Sequence, residues 1–77
     1  MTQPTLKLTV AAEVRAEAAR QHVTAETIGK WIGRSGNQAG ERLNGRVEFK
    51  LSEIQTIAEM FGKPVSQFLA AQNGNAA

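Results

Sequence analysis

Two short apolar repeats that meet at Gly33 constrain this chain more than any other feature. Ile28 and Ile32 lie four residues apart and share one face of a helix. Thr24 can cap that helix, and Glu26 in its first turn suits the helix dipole. Gly33 supplies the backbone freedom that a sharp helix end demands. Ser35 then caps a second helix over about residues 36–44, with Gln38 completing an S-x-x-Q capping box. Ala39 and Leu43 form the apolar stripe of that helix, and Gly45 ends it.

Two short helices joined by a glycine-containing turn of three or four residues form a helix-turn-helix. The geometry leaves the second helix half exposed and suits insertion into a DNA major groove. Charge is distributed accordingly. Residues 1–29 balance Lys7, Arg15 and Arg20 against Glu13, Glu17 and Glu26. Residues 30–50 set Lys30, Arg34, Arg42, Arg46 and Lys50 against Glu41 and Glu48, so the positive excess collects there. The net charge of +2 would not by itself indicate a nucleic-acid partner.

The 77 residues make one domain with a small core. With no cysteine there is neither a disulfide framework nor a thiolate metal site, so helix packing must hold the fold. No apolar run reaches the length of a membrane span, and the N-terminal residues lack the pattern of a secretory signal. A cytoplasmic protein without cofactor or metal is expected. The single His22 stands at a helix end and is read as capping or exposed. The acidic residues are read as helix surface, and nothing in the pattern points to an enzyme.

Along the chain, residues 1–8 read as an N-terminal arm, 9–71 as a helical core and 72–77 as a flexible tail. Thr9 is expected to cap a first helix from about Val10 to Gln21, where Val10, Val14 and Ala18 recur every four residues. Arg46 to Leu51 alternates polar and apolar residues; it is read as an extended connection that points Val47, Phe49 and Leu51 into the core. Ser52 and Gln55 form a second S-x-x-Q box, which opens a fourth helix to about Phe61. Gly62 ends it, and Pro64 can sit in the first turn of a short fifth helix carrying Val65, Phe68 and Leu69.

In this order the segments resemble the lambda repressor/Cro-like helix-turn-helix family. Val23-Thr24, Ile28-Gly29, Ile32-Gly33, Ser35 and Leu43-Asn44-Gly45-Arg46 carry the likeness in the first half. The stretch from Leu51 to Gly62, followed by Val65 and Phe68-Leu69, carries it in the second. The resemblance implies an all-α, five-helix DNA-binding domain whose helix-turn-helix is formed by helices two and three. It further implies a Cro-type or minimal-repressor regulator that binds a double-stranded operator as a homodimer. The chain departs from the pattern at Ala25, Ala18 and Arg42, and at Gly36 and Gly40, each of which costs a helix about 1 kcal/mol relative to alanine.

On the second helix of the motif, Asn37 and Gln38 are the first outward side chains, with Glu41 one turn on. Asn and Gln can bond bidentately to the N6/N7 edge of adenine, and Glu can accept from the cytosine amine. Gln38 could instead close the capping box, and Glu41 could pair with a neighbouring arginine. Arg42 could reach guanine or phosphate, or lay its stem over the core edge. Thr24, Arg34, Ser35, Asn44, Arg46 and Lys50 flank the helix and are expected at phosphates, which fix register without reading sequence. Lys30 reads as ordinary solvated charge. Trp31, Phe68 and Leu69 mark a candidate protein interface, with Trp31 otherwise covering the core edge, and Met60-Phe61 and Phe68-Leu69 read mainly as core.

Two alternatives to a DNA-reading regulator stay open. One is an antitoxin-like autoregulator that binds both DNA and a protein partner. The other is a protein-interaction or anti-repressor module in which the glycines and modest charge reflect a degenerate DNA face.

Overall fold

A computed structural model describes the backbone of residues 6–69. The expected arm at 1–5 and the residues from 70 onward, including the expected tail, lie outside this range. Among the described residues there are five helical segments and no strand. They are α1 (Leu6–Gln21), α2 (Ala25–Ile32), α3 (Gly36–Leu43), α4 (Leu51–Phe61) and α5, helical over residues 66–69.

α1 begins one turn earlier than the sequence pattern implied. Thr9 therefore lies inside the helix and is not its cap. Leu6, Lys7 and Leu8 are all helix-compatible residues, and they extend the helix into the segment read as an arm. At the other end His22 takes the left-handed conformation, φ 58°, while Val23 N–H returns to the Ala18 carbonyl at 2.8 Å.

The core gathers where these helices converge. Val14, Ile28, Ile57 and Phe68 are fully buried at its centre. Trp31 meets the Phe61 ring edge-on, with centroids 5.2 Å apart, and Phe61 in turn stacks on Phe68 at 6.1 Å. Trp31 is thus the half-buried cover of the core edge that its position on α2 implied.

The connection from α3 to α4 differs from the expected extended one. Arg46 and Val47 N–H both return to the Glu41 carbonyl, at 3.0 and 3.3 Å, so the chain turns directly after α3. That turn breaks the alternation. Phe49 is buried, but Val47 is 38% and Leu51 59% exposed. The start of α4 is also two residues earlier than the Ser52 cap implied. Lys50 is its N-cap position, and the Glu53 carboxylate accepts the Lys50 N–H at 2.9 Å. Ser52 stands inside the first turn, so the second S-x-x-Q pair is not the cap. α4 buries Ile54, Ile57, Ala58 and Phe61, and leaves Met60 largely in solvent.

Candidate nucleic-acid interface

The α2–α3 unit is closed by local hydrogen bonds. Thr24 Oγ1 accepts the Thr27 N–H at 3.2 Å and caps α2. α2 stops at Gly33, whose φ of 72° lies in the left-handed region that glycine adopts without strain. Arg34 N–H then returns to the Gly29 carbonyl at 2.8 Å. Gly29 itself must be small, because a Cβ there would sit 2.6 Å from the Arg34 carbonyl oxygen. Ser35 completes the turn with a full capping box. Its Oγ accepts the Gln38 N–H at 3.1 Å, and its own N–H donates to Gln38 Oε1 at 3.3 Å.

α3 consequently has two unlike faces. Ala39, Arg42 and Leu43 are buried against the body, while Asn37 and Gln38 are exposed and Glu41 is half-buried. Its two glycines serve different ends. A Cβ at Gly36 would approach Glu26 Cγ to 2.8 Å, so this glycine lets α2 and α3 pack closely. A Cβ at Gly40 would meet nothing within 4 Å, which leaves a shallow step in the outward surface. The far end of α3 is held by Arg15 of α1, which donates to the Leu43 carbonyl. A cation there suits the helix C-terminus. Nothing in the spacing of α1 pointed to that role, since it depends on how two distant helices cross.

The expected flanking residues divide into two groups. Thr24, Ser35, Asn44, Arg46 and Lys50 are all exposed. Arg46 pairs with Glu41 at 3.4 Å, the arginine partner that the sequence had offered Glu41. Arg34 and Arg42 are instead drawn inward by Glu53. Arg34 Nε donates to Glu53 Oε2, and Arg42 Nε lies 3.5 Å from Oε1. Arg42 also donates to the Gln38 carbonyl at 3.0 Å. With its side chain 10% exposed, Arg42 is turned toward Glu53 and away from the outward edge of α3 on which the expected base contacts lie.

Glu53 and Glu17 are both buried, so the reading of the acidic residues as helix surface fails at these two. Burial pushes the Glu53 carboxyl up, but the Lys50 N–H and the two guanidinium groups outweigh it and hold it below its ordinary value. Glu17 is held low by hydrogen bonds from Gln21 and Gln67, assisted by Arg20. Gln67 reaches it at 2.9 Å, which ties α5 to α1. Of the candidate interface residues, Phe68 is fully buried and offers no surface, while Trp31 and Leu69 remain partly accessible. No described helix is long and apolar enough to cross a membrane, and no described cluster of three or more His, Asp or Glu could hold a metal.

Comparison with solved structures shows the fold to be a known one. The chain is similar to the clp gene regulator ClgR of Corynebacterium glutamicum in two crystal structures. One superposes with a TM-score of 0.81 at 23% identity, covering 97% of both chains. The other gives a TM-score of 0.84 at 22% identity, covering 96% of this chain and 79% of that one. No curated protein matches the chain. The family expectation is met only in its coarser form: the family model that matches is that of the BetR domain and not a lambda repressor/Cro one, and its match runs over residues 7–77, so the chain belongs to the BetR domain family.

Proposed function

We propose that this protein binds double-stranded DNA sequence-specifically and regulates transcription, with α3 reading a major groove. The observation that carries the reading is the division of α3 into a face buried through Ala39 and Leu43 and an outward edge bearing Asn37 and Gln38. In this reading Asn37 and Gln38 contact bases, and Glu41, paired with Arg46, lies one turn further along the same groove. Thr24, Ser35, Asn44, Arg46 and Lys50 contact phosphates. The likeness to structures of a gene regulator supports the same class of activity. A minimal repressor of this kind occupies its operator as a dimer, with half-sites about 34 Å apart so that both α3 helices meet one face of the duplex.

Selection from a randomised duplex library at two salt concentrations tests the proposal. A pseudo-palindromic motif is expected. Replacing Asn37 or Gln38 by alanine should weaken binding to the selected site by about 1–3 kcal/mol while changing random-duplex binding far less. Recovery of no motif would count against sequence reading.

A second reading, a protein-interaction module, is favoured by the exposed Leu51 and Met60 and by the inward pairing of Arg34 and Arg42. It predicts no salt-dependent duplex binding at all.

A further inference from the structure

Two arginines of the α2–α3 unit stand outside the proposed contact set, and a single carboxylate accounts for both. Arg34 lies in the turn, Arg42 on α3, and Glu53 reaches them from the first turn of α4. The side chains are 22% exposed for Arg34 and 8% for Glu53. Glu53 is held in turn by the Lys50 N–H, so it cannot swing outward without uncapping α4. Arg42 Nε is buried with no hydrogen-bond partner among the described atoms. Its placement is therefore set by the Glu53 charge and the Gln38 carbonyl and is not a saturated hydrogen-bond network. Guanidinium groups on a DNA-facing unit would otherwise be its main source of affinity for any phosphate backbone, whatever the sequence.

We infer that Glu53 is a specificity-determining positioning residue. It holds Arg34 and Arg42 off the DNA backbone, so that discrimination between sequences rests on the outward amides of α3 and not on pooled positive charge. The inference rests on the DNA-binding reading above. Glu53 touches no base or phosphate; it acts through the two arginines.

The Glu53→Gln variant keeps an oxygen for the Lys50 N–H and removes the charge that restrains the arginines. Fluorescence anisotropy would follow its binding to the selected duplex and to a random duplex across a salt series. The random duplex should be bound about tenfold more tightly, with the log–log salt slope steeper by about 1 to 2, and the ratio of selected to random affinity should fall. Glu59→Gln removes the same charge from an exposed position on α4 and should leave the slope unchanged. An equal gain there would assign the effect to net charge and overturn the inference. So would an unchanged random affinity in Glu53→Gln.

Arg34→Gln supplies an arm that does not depend on the folding of Glu53→Gln. Affinity for either duplex should change by less than about twofold, because no phosphate contact is lost. A uniform loss with the slope reduced by about 1 would place Arg34 on the backbone and refute the inference, leaving DNA binding intact. A parent protein with no salt-dependent binding to any duplex would defeat both.

Discussion

The α2–α3 turn and the α3–α4 connection join one helix to its two neighbours, and they are held by different means. In the turn, the backbone is fixed locally, by the Gly33 conformation, the Arg34 N–H on Gly29, and the reciprocal bonds of Ser35 and Gln38. The Arg34 side chain, by contrast, reaches to Glu53 of α4. The connection, after its initial return to Glu41, is positioned by tertiary contacts. Phe49 is buried between exposed neighbours, and Lys50 is gripped by a carboxylate that also holds two arginines from elsewhere. A short loop closed on its own helix ends is set by residue types at fixed offsets. A longer one is set by whichever side chain finds the core.

Substitutions can break this contrast, and the largest effect belongs to the connection. Phe49→Ala should cost about 3 kcal/mol in chemical denaturation, because it removes the one buried ring of residues 44–50. A loss under about 1 kcal/mol would mean that the connection has anchors other than Phe49. Next comes the turn. Gly29→Ala places a methyl group 2.6 Å from a backbone oxygen, which cannot rotate away. A loss of about 2 kcal/mol is expected from overpacking, and an unchanged midpoint would show slack between α2 and the turn. Ser35→Ala removes only one cap and should cost about 1 kcal/mol, with Ser35→Asp restoring most of it.

The same contrast explains what could be read in advance. The caps at Thr24 and Ser35, the stops at Gly33 and Gly62, and the inward rows of α2 and α4 follow from local hydrogen bonds and helical period. Ser52 and Gln55 offer a competing box for the start of α4, whereas the observed N-cap position is Lys50, whose N–H is taken by the Glu53 carboxylate three residues on. The placement of Arg42 is not set locally. Its position on α3 is legible as a polar residue beside the apolar stripe, but whether it faces a groove or a buried carboxylate is decided by α4. The exposed edge of α3, Asn37 and Gln38, was legible because the helix period alone turns it away from Ala39 and Leu43.

Acid tests the carboxylate on which both regions meet, since Glu53 takes the Lys50 N–H of the connection and the Arg34 side chain of the turn. Glu53 and Glu17 are both held below the ordinary value of 4.5. A group depressed in the folded state contributes stability that is complete above its unfolded value and is lost as pH falls through the folded one. The thermal midpoint should therefore be flat above about pH 5 and decline below it. Glu53→Gln should decline less steeply than the parent, with the remaining slope owed to Glu17. A decline of equal steepness would mean that Glu53 carries no linked stability.

The smallest expected effect is the most direct test of how the connection is built. Leu51 follows Phe49 by two residues and would share its face in an extended chain, which is why the alternation pointed both inward. In the fold it opens α4 and is 59% exposed. Leu51→Gln keeps a helix-compatible side chain and should change stability by less than about 0.5 kcal/mol, in sharp contrast to Phe49→Ala two residues away. A loss comparable to that of Phe49 would mean that Leu51 is buried in solution and that the chain enters α4 in the extended register after all. Near-neutrality would instead leave the chain entry to α4 fixed by one ring and one carboxylate. It would also leave Leu51 available for an apolar contact outside the domain without cost to the fold.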